Sequence, residues 1–244
     1  MTVFTVFFAN PEGNPAKYEE FLPYMKVGRL ALSLTNPGAE YVVLTDRATA
    51  PLLEKHVQVA ATAPDTGPLM VKYQIAQRNY LKSAKNKDFY VLAGTDCIAM
   101  RVLSRAIMHD VGFATTFNKS GRINNVAYIR DVDQAIWFLD KAIAVLDSWE
   151  PERQRWFGDQ ESWEDVLGGP VDPKVAFHVR TIEGRKFHLF NCVTHNRFPR
   201  QCGRPKRLDS EAFILHFKGE RKQVMIDYVV KNIVGKYSGQ QHQR

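Results

Sequence analysis

The residues best suited to chemistry lie in the segment FILHFKGERK at 213–222. An apolar run there leads to His216, and Gly219 and Lys222 follow at three-residue intervals. A neutral imidazole binds borderline divalent metals, a glycine lets backbone approach a pyrophosphate, and a lysine places positive charge beside a departing phosphate. The spacing therefore fits a phosphate site, although a strand-end histidine without any ligand gives the same pattern.

Asp96 is the acid that could complete such a site. It ends the apolar segment FYVLAGTD at 89–96, which predicts a strand with the carboxylate at its carboxyl end, where α/β proteins bind ligands. A Mg²⁺ or Mn²⁺ ion on this carboxylate and on His216 would neutralise charge on a diphosphate leaving group. The alternative is that Asp96 caps a helix beginning near Ile98. The first interpretation requires Asp96 and His216 to meet in the folded chain.

The elements that must position these residues alternate in the first half of the chain. Strands are predicted at 3–9, 40–46, 57–62 and 89–96, and a helix with Leu69, Tyr73, Ala76 and Tyr80 on one face precedes the last strand. Further on, the pattern predicts a helix through Ile136, Leu139, Ile143 and Leu146, strands at 175–182, 186–192 and 213–217, and a last helix carrying Met225, Val229 and Ile233. This order predicts a single three-layer α/β domain over 1–244, with a loose tail at 238–244.

Composition narrows the class of protein. The 244 residues are 45% hydrophobic, which is enough for one sizeable core, and the longest apolar runs fall far short of the ~20 residues of a membrane span. The first residues lack the features of a secretory signal, so we expect a cytoplasmic protein. Cys97, Cys192 and Cys202 are too few and too widely spaced for a disulfide framework. A net charge of +7 indicates an anionic partner such as a phosphate compound, with peripheral contact to an anionic membrane as a weaker interpretation.

Taken in order, these elements resemble the glycosyltransferases related to glycogenin and to bacterial lipopolysaccharide galactosyl- and glucosyltransferases. That family pairs a strand-end Asp-x-Asp motif with a carboxyl-terminal His-x-x-Gly-x-x-Lys-Pro-Trp motif, and an Asn-x-Gly strand and an Asp-Gln pair lie between them. The resemblance covers nearly the whole chain, through Asp96, Asn124, Asp159, Gln160, Asn196, His216, Gly219 and Lys222. It implies an α/β fold of the GT-A (Rossmann-like) type, three-layer α/β/α with a mixed central sheet. It also implies a nucleotide-binding half at about 1–110 and an acceptor-side half at about 111–237.

The resemblance further implies a hexosyltransferase that uses a nucleotide-diphosphate sugar, with a UDP-sugar favoured. The acceptor would be a glycan, a glycolipid or another hydroxyl compound, the anomeric configuration would be retained, and a divalent cation (Mn²⁺ or Mg²⁺) would bind Asp96 and His216. Asp159 and Gln160 would lie over the donor sugar as catalytic residues, and Asn196 would lie on the acceptor side. The implied donor-binding residues are Ala9, Asn10, Tyr18, Arg78, Asn124, Gly219 and Lys222.

Several positions depart from the family pattern. Gly94 stands where the first metal-binding aspartate is expected, Val126 replaces the glycine after the asparagine, and Gln223 with Val224 replaces Pro-Trp. Use of a metal is therefore open, and a degenerate protein that binds nucleotide sugars without turnover is an alternative. The Gly-Asp-Gln segment around Asp159 also reads as a helix start, which is compatible with a role at the donor sugar.

Two other classes of site deserve comparison. A zinc site could draw on His188, Cys192, His195 and Cys202, but a strand through this segment would split the ligands between its two faces. A basic nucleic-acid-binding protein would explain the net charge, yet the sequence carries no known signature of one. Aromatic residues such as Phe7, Phe89 and Phe213 lie within apolar strand patterns typical of a core. We therefore expect no nucleic-acid partner.

Overall fold

The computed structural model describes residues 1–9, 16–83, 88–154, 158–199 and 211–235, and its first half alternates strands with helices. The elements are β1 (Thr2–Val6), α1 (Ala16–Thr35), β2 (Glu40–Thr45), α2 (Ala50–Leu53), β3 (Gln58–Ala61), α3 (Leu69–Ser83) and β4 (Tyr90–Leu92). The four strands lie side by side in the order β3, β2, β1, β4, and all are parallel. Every residue of β1 is buried, as expected for a strand covered on both faces. The predicted βαβ arrangement is confirmed.

The second half of the chain completes the sheet and makes it mixed. Its elements are β6 (Phe113–Phe117), β7 (Ile123–Ile129), α4 (Val132–Asp147), α5 (Gly158–Val166), β8 (Phe177–Ile182), β9 (Arg185–Asn191) and α6 (Cys192–His195). β7 runs antiparallel to both β4 and β6, β9 runs parallel to β6, and β8 forms the edge. The full strand order is therefore β3-β2-β1-β4-β7-β6-β9-β8.

A second, two-stranded sheet lies apart from this main sheet. It pairs β5 (Cys97–Ala99) with β10 (Ile214–His216) in antiparallel fashion. A 3-10 segment (Gly219–Val224), α7 (Met225–Val229) and a π-helical turn (Val230–Val234) follow β10. This small sheet brings the two chemically interesting segments of the sequence together.

Helices cover the main sheet on both faces. α3, α4 and α5 pack on one face, where Trp163 and Phe138 lie in a common aromatic core. α1 packs on the other face, and its Met25 and Leu32 are buried with residues of β1, β2 and β5. The three-layer α/β fold with a mixed central sheet is thus confirmed. Across the described residues, no helix has the length and apolarity needed to cross a membrane.

The chain around Asp96 differs from the sequence-based prediction. β4 ends at Leu92, so the predicted strand over 89–96 is too long, and a turn follows in which the Cys97 N–H donates to the Gly94 carbonyl at 3.1 Å. β5 then begins at Cys97, so the alternative in which Asp96 caps a helix near Ile98 is wrong. Pairing with β10 holds this segment extended, and no local helical turn forms there.

Candidate active site

The structure brings Asp96 and His216 into direct contact. The Nε2 atom of His216 lies 3.1 Å from Oδ1 of Asp96, and both residues are buried. Asp96 occupies the turn between β4 and β5, and His216 ends β10. The backbone fixes this meeting independently of the side chains, because the N–H of Phe217 donates to the Asp96 carbonyl at 2.8 Å.

Lys222 joins the pair from the 3-10 segment after β10. Its Nζ lies 3.4 Å from Oδ2 of Asp96 and stands over the ring of Phe21 on α1, 4.6 Å from the centroid. Gly219 starts the segment with φ of 62°, a left-handed conformation that suits glycine and turns the chain from β10 toward Lys222. The HxxGxxK spacing thus folds His216 and Lys222 onto one carboxylate.

Charges at this site stabilise one another. Burial alone would raise the pKa of Asp96, but the charge and hydrogen bond of His216 and the charge of Lys222 lower it to about 2. Burial also opposes a charge on His216, yet the neighbouring Cys97 and Asp96 outweigh it and raise the pKa of the imidazole to about 10. Without a ligand, Asp96 is therefore a carboxylate held between two cations.

Asp159 and Gln160 lie in the first turn of α5, as the helix-start interpretation predicted. Asp159 is buried, and the side-chain amide of Asn125 on β7 donates to its carboxylate. Burial raises the pKa of Asp159 to about 6, although the backbone N–H of Gln160, the charge of Lys218 and the Asn125 amide lower it in part. Asp159 is thus a buried acid that titrates near neutral pH.

Tyr73 on α3 lies within electrostatic range of Asp159 and Asp96. Burial, followed by the charges of Asp159 and Asp96, raises the pKa of its phenol well above the usual range. The Tyr73 phenol is therefore close enough to both carboxylates for their charges to act on it.

Asn124 and Asn196 lie on the other face of the sheet from Asn125. Asn124 pairs with Thr116 in the strand register, and the Asn196 amide donates to the Thr116 hydroxyl at 3.3 Å. Both asparagines are buried, and within the described part of the chain Nδ2 of Asn124 and Oδ1 of Asn196 lack hydrogen-bond partners. Of the two neighbouring asparagines on β7, it is Asn125, not Asn124, that reaches Asp159.

Among the remaining predicted donor-binding residues, the structure describes the side chains of Ala9 and Arg78. The Ala9 N–H donates to the Thr49 hydroxyl at 3.1 Å just beyond the end of β1. Asn10 and the side chain of Tyr18 lie outside the part of the chain that the structure describes. Arg78 does not join the Asp96 cluster, because its guanidinium pairs with Asp140 on α4 at 3.0 Å.

His195, one of the residues considered for zinc, already has hydrogen-bond partners. The His195 ring bonds through Nε2 to the Ala106 carbonyl at 2.8 Å and through Nδ1 to the Thr194 hydroxyl at 2.9 Å. Cys192 is buried with a free thiol, and Cys202 lies outside the described residues. Where the structure describes the chain, three potential metal ligands gather only at Asp96, Cys97 and His216.

Sequence reasoning missed three residues of this site: Asn125, Tyr73 and Cys97. Asn125 adjoins the asparagine chosen from the resemblance, and Tyr73 was assigned only to the core face of its helix. Cys97 follows Asp96 directly and begins β5. The alternation of side chains along a strand that starts there was the signal that could have identified Cys97.

Comparisons with known proteins agree with this geometry at the level of fold. No protein-family model matches the sequence, and no curated protein matches it. Among solved structures, the galactosyltransferase LgtC in complex with donor and acceptor sugar analogs is 12% identical, covering 98% of this chain and 94% of that chain with a TM-score of 0.52. A glycosyltransferase involved in glycosylation of the PBCV-1 major capsid is 11% identical, with coverages of 93% and 98% and a TM-score of 0.56.

A third structure is longer. The glycosyltransferase GlyE of Streptococcus pneumoniae is 11% identical and has a TM-score of 0.58, and the match covers 99% of this chain but 63% of GlyE. At such identities the likeness establishes the fold. This chain has the GT-A fold of glycosyltransferases, as its sequence predicted.

Proposed function

We propose that this protein is a glycosyltransferase that moves a hexose from a nucleotide-diphosphate sugar to a hydroxyl of a glycan or glycolipid. The observation that carries the proposal is the contact of Asp96 with His216 and Lys222, beyond the carboxyl end of a parallel strand. Open α/β sheets bind ligands at that edge. The resemblance favours a UDP-sugar as donor and retention of configuration.

The residues present fit a divalent cation. Asp96 offers a carboxylate oxygen and His216 an imidazole nitrogen, both buried and in contact, and such ligands suit borderline divalent ions. A cation held there would neutralise charge on the diphosphate. Asp96 and His216 orient this part of the site, and His216 binds a cation only after it releases its proton.

Lys222 supplies positive charge that needs no metal. The Phe21 ring and the Asp96 carboxylate fix its ammonium group beside the cluster. A cation fixed in advance stabilises a leaving group without reorganisation during the reaction. We assign Lys222 to the leaving diphosphate.

Asp159 and Gln160 are assigned to the donor sugar. A buried carboxylate stabilises positive charge that develops at the anomeric carbon, and a carboxamide bonds neighbouring hydroxyls. The Asn125 amide orients Asp159 and favours its ionised form.

A thermal-shift screen with UDP-, GDP-, CMP- and dTDP-sugars, each with and without Mn²⁺, tests the proposal. We expect one nucleotide class to raise the melting temperature, because a ligand that binds only the folded state stabilises it. That donor should then be consumed when acceptor glycans are added. Stabilisation without hydrolysis or transfer would support the degenerate binding protein that Gly94 suggests, and no stabilisation by any donor would contradict the proposal.

Replacing Asn125 by alanine should move the pH profile of transfer. The amide stabilises the Asp159 carboxylate, so its loss raises the pKa of Asp159 above about 6 and shifts the acid limb of kcat toward higher pH. Activity at pH 6 should fall more than activity at pH 8. The measurement is kcat from pH 5 to 9, and an unmoved acid limb would remove Asn125 from this role.

We also propose a cytoplasmic location. The net charge of +7 supports a further proposal of peripheral contact with anionic membranes.

A further inference from the structure

Cys97 lies beside Asp96 and His216 because of strand register. β5 and β10 pair antiparallel with Cys97 directly opposite His216. Directly opposite residues of an antiparallel pair project their side chains on the same face. A thiol, an imidazole and the adjacent carboxylate therefore converge, and their ligand atoms lie within 4.8 Å of one another.

The thiol also borders the place where a residue-94 side chain would begin. A Cβ built on Gly94 would lie 2.6 Å from Oδ1 of Asp96 and 3.6 Å from Sγ of Cys97. The first distance is too short for any Cβ, so an aspartate at position 94 could enter only if Asp96 moved. Position 97 instead offers a third potential ligand atom beside Asp96 and His216.

Two buried polar atoms beside the thiol point to a missing partner. Within the described residues, Nδ1 of His216 and the hydroxyl of Tyr41 have no hydrogen-bond partner. Tyr41 lines a small cavity with Gly94 and Cys97. Buried polar atoms are rarely left unpaired in folded proteins, so these two atoms favour a cluster that takes up a ligand.

We infer that Cys97 is a third protein ligand of the divalent cation and that the site selects thiophilic ions such as Zn²⁺ or Co²⁺ over Mg²⁺ and Mn²⁺. The inference rests on the proposed function for the presence of a cation. When the metal–sulfur bond forms, the S–H bond breaks and its proton passes to solvent. Soft sulfur ligands favour Zn²⁺ and Co²⁺, whereas sites of oxygen ligands suit Mg²⁺ and Mn²⁺.

Cobalt tests the ligand set without any assay of activity. Protein freed of metal by a chelator is titrated with Co²⁺, and absorption is recorded. We expect a sulfur-to-cobalt charge-transfer band at one equivalent in the wild-type protein, its loss in Cys97→Ser, and its retention in Cys192→Ser, which alters another buried free cysteine. A band that persists in Cys97→Ser, or is absent from the wild-type protein, overturns the inference.

Competition between metals tests the selectivity. Zn²⁺ binds most nitrogen and oxygen sites more tightly than Mn²⁺, so the informative quantity is the change in their affinity ratio. That ratio should fall at least about tenfold in Cys97→Ser, as expected when a soft ligand is lost. If Cys97→Ser fails to fold, protection of the Cys97 thiol of the wild-type protein from iodoacetamide by Zn²⁺ replaces both tests, and absence of protection overturns the inference.

These results separate the inference from the proposed function. A missing charge-transfer band together with donor-induced stabilisation would remove Cys97 from the site and leave the transferase proposal intact. A cobalt band without stabilisation by any nucleotide sugar would support Cys97 as a metal ligand and contradict the transferase proposal.

Discussion

Lys222→Ala is expected to lower kcat by about 10²–10³ while changing KM far less, as when one preorganised group that stabilises transition-state charge is removed. The ammonium group lies 3.4 Å from the Asp96 carboxylate and over the Phe21 ring, so its position is set before any substrate binds. Charge on the leaving diphosphate is greater in the transition state than in the bound donor, which is why the effect falls on kcat. The measurement is steady-state transfer with the donor found in the thermal-shift screen.

Lys231→Ala is the matched control, because it removes an exposed lysine from the same end of the chain. Its kcat should remain within about twofold of the wild-type value, since exposed substitutions outside a site have small effects. Circular dichroism of both variants checks that the fold is retained. If Lys222→Ala is well folded and as active as Lys231→Ala, the assignment of Lys222 to the leaving group fails.

Asp159→Asn is expected to abolish most transfer and at the same time to stabilise the protein at neutral pH. Burial raises the pKa of Asp159 to about 6, above the 3.8 that is usual for an unperturbed aspartate. The wild-type protein therefore loses stability as pH rises from about 4 to about 6, and the loss remains at higher pH. A pKa raised by about two corresponds to a loss of up to about 3 kcal/mol in the free energy of unfolding. The neutral asparagine variant does not incur this loss.

Two measurements check this pair of effects. Urea titrations at pH 4 and pH 8 should give Asp159→Asn a higher free energy of unfolding than the wild-type protein only at pH 8. The kcat of Asp159→Asn at pH 8 should fall at least about a hundredfold, as for other groups that stabilise transition-state charge. Asp165→Asn is the control, because it changes an exposed aspartate of the same helix. An equal stability difference at both pH values would contradict the buried-charge explanation, and unchanged kcat would remove Asp159 from catalysis.

Local patterns were enough to predict most of the sheet. The parallel strands β1, β2 and β4 are buried on both faces, so they read as continuous apolar runs, and the helix face containing Tyr73 and Tyr80 showed clear helical spacing. The meeting of Asp96 with His216 was anticipated only through the order of motifs. Their contact depends on pairing between distant segments, which local periodicity does not encode.

The details around Asp159 could not be predicted because they depend on strand register. Pairing between β6 and β7 shifts between Thr115 and Thr116, and beyond the shift Thr116 lies opposite Asn124. Neighbouring residues on a strand face opposite ways, so the register decides which asparagine faces α5. The partner of Arg78 could not be predicted either, because its ion pair with Asp140 depends on how α3 packs on α4.

The pairing of β5 with β10 also bears on the order in which the molecule matures during synthesis. All eight strands of the main sheet lie before Cys192, whereas β10 comes later along the chain. Because chains emerge from the ribosome amino end first, the main sheet can assemble before β10 has been synthesised and can pair with β5. The main sheet of the nascent protein can therefore form before the Asp96 site does. Asp96 would contact His216 only after β10 pairs with β5.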